Sequence, residues 1–182
     1  MGREANLLVT YDPAVFLGAR DEVVDLLGEV GVEEPEFLSS RVKGLFMLRV
    51  SADPKGVTRR LDALCRAEPH RFWYTYHWIP IETWCSSTLE EMSGVVRGFA
   101  ERIGPGERWR MTINKRFYRK HRTRELIEGL AELVDRPEVD LENPERIIRV
   151  EIIGGRAGLS LLEPVEQFSV NEVKDEVFTT SR

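Results

Sequence analysis

Arg108-Trp-Arg-Met-Thr-Ile-Asn-Lys-Arg-Phe-Tyr-Arg-Lys-His-Arg-Thr-Arg124 is the stretch on which the reading of this chain turns. It holds eight cations (Arg108, Arg110, Lys115, Arg116, Arg119, Lys120, Arg122 and Arg124), one His and no acid. The whole chain has 26 Lys/Arg and 31 Asp/Glu, so 18 bases face 31 acids outside the segment, a formal charge of −13 there. A net-acidic protein that gathers eight cations in one place is organised to hold a polyanion. Trp109, Phe117 and Tyr118 lie among the cations and fit contact with bases.

The pattern inside the segment predicts strand, basic loop, then helix. From Arg108 to Asn114, Trp109, Met111 and Ile113 point one way and Arg108, Arg110, Thr112 and Asn114 the other. Lys115, Arg116, Arg119, Lys120 and Arg122 fall in the loop. A helix over 123–134 follows, its apolar stripe Leu126, Ile127, Leu130, Leu133 and Val134. Cations at a helix start oppose the macrodipole, while the unpaired N–H groups of the first turn attract anions. A local cost without structural gain is the mark of a binding site. The competing reading is a solvated face neutralised by Glu125, Glu128, Glu132, Asp135 and Glu138.

Working outward, Ser87 with Glu90 predicts a capping box, and Leu89, Met92, Val95, Val96, Phe99 and Ile103 form one face of the helix behind it. Gly104-Pro105-Gly106 stops that helix. Downstream, strands over 147–153 and 159–162 join across Gly154-Gly155-Arg156-Ala157, a hairpin turn rather than a phosphate loop because no helix follows. Upstream, strands over 6–11, 37–43, 45–51 and 71–81 alternate with helices starting near Phe16 and at Asp53-Pro54. The order β-α-β-β-α-β predicts a ferredoxin-like unit. In Phe72-Trp-Tyr-Thr-Tyr-His-Trp78 both strand faces are bulky, which predicts a strand covered on both sides with His77 hydrogen-bonded in the core. The fold expected is α+β: an N-terminal ferredoxin-like domain over 1–85, an α/β domain over 86–164, and a tail over 165–182 that packs as one short element with loose last residues.

Composition narrows the function. No run of about 18 apolar residues occurs, and Leu7 opens a strand pattern with no charged-then-apolar leader before it, so the expected compartment is the cytoplasm. Cys65 and Cys85 are apart and read as small buried hydrophobes of a reducing compartment. Arg outnumbers Lys 21 to 5, which suits bidentate phosphate contacts. No nucleophile elbow, metal-binding His or Cys motif, or Walker sequence is present, and His70, His77 and His121 stand in unrelated settings. The expectation is a chain with no catalytic residues, no metal and no cofactor.

The second half resembles a THUMP domain, a module of tRNA-modifying proteins. The likeness spans about residues 86 to 164. It is carried by the helix from Leu89 to Ile103, by Arg110-Met-Thr-Ile-Asn-Lys-Arg116, by Arg119-Lys-His-Arg-Thr-Arg-Glu125 and the helix that follows, and by Val139-Asp-Leu-Glu-Asn-Pro144, Ile147-Ile-Arg-Val-Glu-Ile-Ile153 and Gly158-Leu-Ser-Leu161. It is similar to stand-alone THUMP proteins of archaea and eukaryotes. That resemblance implies a non-catalytic tRNA-binding adaptor for an acetyltransferase that makes 4-acetylcytidine. It places Lys115, Arg116, Arg119, Lys120, Arg122 and Arg124 on tRNA phosphates and gives 139–144 a structural role. Other THUMP proteins serve thiolation or methylation of tRNA, which stand as alternatives. A metabolite-binding sensor built on the ferredoxin-like half is the reading of a different class, and a divergent enzyme acting directly on RNA is a third.

Overall fold

The computed structural model describes residues 4–180. Along the chain run β1 (Leu7–Tyr11), α1 (Phe16–Glu29), β2 (Glu36–Leu38), β3 (Leu45–Arg49), α2 (Pro54–Ala67), β4 (Thr75–Pro80), β5 (Thr83–Ser86), α3 (Leu89–Glu101), β6 (Trp109–Arg116), α4 (Thr123–Ala131), β7 (Arg146–Ile153), β8 (Arg156–Leu162), β9 (Phe168–Ser169) and α5 (Val170–Thr180). They form a mixed helix-and-sheet protein with two sheets, divided into two compact units. One is residues 4–80 with 165–180; the other is Ile81–Pro164. What the sequence suggests for the first residues and the last concerns, at 1–3 and 181–182, positions outside the described residues.

The first unit is an antiparallel sheet in the order β2-β3-β1-β4-β9. Ala19, Val23, Leu26 and Leu27 of α1 and Val57 and Leu61 of α2 close over Leu7, Val9, Leu48 and Trp78. Asp53 caps α2 by accepting from the Gly56 N–H at 2.9 Å, with Pro54 at the first helical position. Gly44 holds φ at +76° before β3, where a Cβ would lie 3.0 Å from the Tyr11 carbonyl oxygen. The strand expected over 37–43 stops at Leu38, because the Ser40 hydroxyl both accepts from the Val42 N–H and donates to the Val42 carbonyl, folding the chain locally. The C-terminal residues are not a separate tail. β9 pairs with β4, and Phe168, Val170 and Val173 join this core, with Phe168 edge-on to Phe72 at 5.6 Å.

The aromatic run departs from expectation. Phe72 and Trp78 are buried, whereas Trp73 is 71% exposed and Tyr74 and His77 also reach solvent. The cause is Glu22 of α1, a buried carboxylate that accepts from the N–H groups of Trp73, Tyr74 and Thr75 at 2.8, 2.9 and 3.0 Å and from the Thr75 hydroxyl at 2.8 Å. Donors that a strand would spend on a neighbour go to one side chain instead, so 73–74 loops outward and the strand starts at Thr75.

The second unit is a sheet in the order β5-β8-β7-β6, with β6 and β7 parallel and joined through α4. β5 pairs with β8 from Thr83↔Leu159 to Ser86↔Arg156, so residues 81–85 belong here rather than to the N-terminal domain drawn over 1–85. Helices α3 and α4 bury Met92, Val96, Phe99, Leu126 and Leu130 against Met111, Ile113, Ile148, Val150 and Leu161. The cap of α3 sits one residue later than its sequence suggests. The Thr88 hydroxyl accepts from the Glu91 N–H, and the Glu91 carboxylate reaches back to the Ser86 N–H at 2.7 Å. Ser87 donates instead to the Gly154 carbonyl at 2.8 Å, and Leu89 is exposed. α4 ends at Ala131, three residues short of its expected end, although Val134 still reaches the core. The β7–β8 turn is tight, with Gly154 at φ +59° and β8 already under way at Arg156.

Candidate nucleic-acid interface

β6 alternates as its pattern requires, with Trp109, Met111 and Ile113 buried, but it continues to Arg116. Lys115 and Arg116 are therefore strand residues. Both are occupied. The Lys115 ammonium donates to the His121 carbonyl at 2.7 Å, closing the loop that follows, and the Arg116 guanidinium pairs with Glu151 at 2.6 Å. Glu151 is wholly buried and also accepts from Arg149 at 2.7 Å and Asn114 at 3.1 Å. A buried carboxylate with three donors is a fixed part of the fold.

At the other end of β6 the cations are also engaged. Arg108 lies 3.3 Å from Glu145 and 3.6 Å from Asp140, and its N–H donates to Glu145 at 2.9 Å. Arg110 donates to the Leu141 carbonyl at 2.9 Å. Asp140 accepts from the N–H groups of Asn143 and Glu142, which together with Arg108 hold its carboxyl below the usual range. Glu145 is lowered in the same way by the backbone and side chain of Arg108. The 139–144 segment follows β6 backbone to backbone, the Trp109 N–H donating to Glu138 and the Asp140 N–H to Trp109.

The loop beyond β6 behaves differently. Tyr118 turns inward and is buried, its phenol pushed up by desolvation. Phe117 turns outward, 72% exposed, with φ at +54°, a left-handed conformation that a bulky side chain seldom adopts. Arg119, Lys120 and Arg122 are exposed, and no side-chain hydrogen bond or ion pair ties them to another described residue. Arg124 is 88% exposed and, among the described residues, pairs with Glu128, at 2.7 Å on the same helix face. Arg122 is the residue before α4, and its side chain has donors only, so it cannot cap the helix. Glu125 reaches back to the Arg122 N–H at 2.9 Å, and the next first-turn N–H groups have no intrahelical acceptor. Positive dipole end, free N–H groups and three unpaired cations converge there.

Two further elements meet this end of the sheet, although the sequence pattern of neither places it beside the basic loop. The Gly154 N–H donates to the Arg116 carbonyl at 2.8 Å, and Ser87 holds Gly154 from the other side. The β7–β8 turn, exposed Arg156 and the start of α3 therefore lie at the same end of the sheet as the loop. The strand–helix–strand order from Arg108 to Ile153 is the signal in the sequence, because it brings β6 and β7 parallel and ligands of parallel strands gather beyond their carboxyl ends. Of the three aromatics in the basic segment, Trp109 and Tyr118 serve the core and Phe117 alone faces out. Among the described residues no His, Cys, Asp and Glu cluster could hold a metal, and no helix is long and apolar enough to cross a membrane.

Solved structures share the fold. In fold, the chain is similar to PH1313 from Pyrococcus horikoshii, with 16% identity and a TM-score of 0.58 over 87% of this chain and 55% of that one. It is similar to TrmN from Thermus thermophilus, with 17% identity and a TM-score of 0.55 over 87% of this chain and 46% of that one. A 4-thiouridine synthetase in complex with RNA and bound ATP aligns at 15% identity and a TM-score of 0.50, over 88% and 42%. The chain spans about half the length of these proteins. No curated protein matches it in sequence. The strand, basic loop, helix and hairpin at residues 109–162 match the family model of the THUMP domain, and the chain carries a THUMP domain there.

Proposed function

We propose that this chain binds tRNA through the end of its second unit and works as a non-catalytic adaptor for a separate modifying enzyme, an acetyltransferase that forms 4-acetylcytidine. The N-terminal unit, with its β-α-β-β-α-β order, is on this reading a ferredoxin-like platform in a cytoplasmic protein. The observation that carries the proposal is the group Arg119, Lys120 and Arg122, three unpaired exposed cations at the uncapped start of α4 within a THUMP domain. Lys115 and Arg116 shape that loop, and Arg124 flanks it; Arg108 and Arg110 stand at the far end of β6, each held by its own partners. Phosphate neutralisation by such a loop reads the shape and charge of folded RNA rather than its base edges.

Thiolation or methylation of tRNA is the second reading. It is favoured by the structures similar in fold, which include a 4-thiouridine synthetase bound to RNA. The test replaces Arg119, Lys120 and Arg122 together with Glu. The variant keeps its circular dichroism spectrum and loses retention of tRNA on a filter at moderate salt. Retention unchanged would end the site assignment. In cells lacking the protein, loss of 4-acetylcytidine from tRNA supports the acetylation adaptor, whereas intact 4-acetylcytidine with loss of a thiolated or methylated nucleoside supports the second reading.

A further inference from the structure

The first unit carries a surface of the opposite character. α1 turns Leu17 (72% exposed) and Val24 (43%) to solvent, with Asp21 and Asp25 beside them on adjoining helical positions. Beside this helix, Trp73 and Tyr74, the two residues that Glu22 turns outward, help line a groove of about 370 Å³. The Tyr74 ring lies against Gly18, where a Cβ would come 3.0 Å from its edge, so Gly18 is what lets the ring settle onto the helix. Arg71 lines the groove but is spent on Glu29 at 2.9 Å, and Lys174 approaches Trp73 at 5.9 Å from the ring centroid. Asp21 and Asp25 have no ion pair or side-chain hydrogen bond to another described residue.

We propose that this face docks a basic, amphipathic segment of a partner protein, with apolar side chains on Leu17 and Val24 and a Lys or Arg entering between Asp21, Asp25 and the Trp73 and Tyr74 rings. Charge complementarity selects the occupant. His70 and Arg71 line the same groove and Asp25 lies within the field of Arg71, but that guanidinium is held by Glu29, so Asp21 and Asp25 leave the face negative, which repels an RNA backbone and an anionic lipid surface alike. Exposed aliphatic and aromatic side chains on one face mark a surface that is covered. Aromatic rings beside carboxylates hold a cation through both the ring face and the charge. Trp and Tyr are the residue types that most often carry interface energy. The inference does not rest on the tRNA reading, because it uses other residues and an opposite charge.

The full chain is titrated into a fluorescein-labelled synthetic peptide of alternating Leu pairs and Lys pairs, with a Leu–Glu peptide as control, reading anisotropy and tryptophan emission. The Lys peptide binds and shifts the emission of exposed Trp73; the Glu peptide does neither. Trp73→Ala and the pair Asp21→Asn with Asp25→Asn each weaken binding at least tenfold. The same charge change at Glu132→Gln with Asp135→Asn, on the second unit, alters it less than twofold. All these variants retain tRNA as the parent does if the parent retains it. Equal loss with the Glu132 and Asp135 pair would mean diffuse attraction and would overturn the proposal. So would unchanged binding by Trp73→Ala, or displacement of the peptide by spermidine at equal charge concentration, which would make this a polyamine site. Self-association abolished by the same variants would name the chain's own basic loop as occupant and overturn it too. A loss of tRNA retention in Trp73→Ala would assign the face to RNA instead.

Discussion

The two halves of the basic segment carry equal charge and unequal surface. Residues 108–116 hold four cations and residues 117–124 hold four. In the first half, Arg108 is paired with Glu145 and Asp140, Arg110 with a carbonyl, Lys115 with a carbonyl and Arg116 with buried Glu151. In the second half, Arg119, Lys120 and Arg122 have no side-chain partner among the described residues and Arg124 pairs with exposed Glu128. Local charge density in a sequence counts side chains, whereas binding depends on those whose charge is not already answered within the fold. On the proposed reading, the strand half builds the platform and the loop half is the surface it offers to RNA.

The largest effect that sharpens this contrast falls on the platform. Glu151→Ala strips buried Arg149 and half-buried Arg116 of their shared carboxylate, and the expected loss is about 3–5 kcal/mol in urea unfolding. Such a variant loses RNA binding only by losing its fold. Full stability after the change would mean that these strand cations are not structural.

Phe117 gives a smaller effect of mixed sign. A left-handed backbone at a bulky residue costs about 1–2 kcal/mol, which glycine does not incur. Phe117→Gly therefore raises thermal stability by roughly 1 kcal/mol. It also weakens tRNA binding severalfold if the exposed ring stacks on a base. A variant that is less stable and binds equally well would show the ring to be a packing residue.

Two further predictions concern the paired half. Arg108→Gln changes stability by no more than about 1 kcal/mol, since its ion pairs are solvent-exposed, and alters tRNA affinity less than threefold. Asp140 and Glu145 are held below their ordinary pKa values, so their contribution to stability is fully present above about pH 5 and fades as pH falls through the lowered folded-state values. Melting curves between about pH 6 and pH 3 show that fall, and Asp140→Asn flattens part of it.

The sequence made some elements plain. The alternation of Trp109, Met111 and Ile113 and the stripe Leu126, Leu130 and Val134 locate β6 and α4, because each pattern has one period and one buried face. Asp53-Pro54 marks the start of α2 for the same local reason. Other features depend on partners distant in the chain. Which serine or threonine caps α3 is decided by Gly154, which draws Ser87 away and leaves Thr88 the task. The outward turn of Trp73 and Tyr74 is decided by Glu22, about 50 residues earlier in the chain, so the aromatic run alone reads as core. The docking of 165–180 beside β4 rests on Phe168 meeting Phe72. At the site, the positions of the cations were legible. Which of them are paired within the fold was not, because their partners Glu151, Glu145, Asp140 and the His121 carbonyl come from other segments of the chain, and a periodic pattern locates an element without saying what its side chains meet.

The most direct test measures tRNA affinity against salt concentration for the parent and for the variant with Arg119, Lys120 and Arg122 all changed to Ala. Engagement of about four phosphates gives the parent a log–log slope of about −3 to −4, and removing three contacts brings the slope down by about 2 to 3. A slope that stays at the parent value would show that the phosphates are held elsewhere and would contradict the assignment of the free loop as the RNA grip.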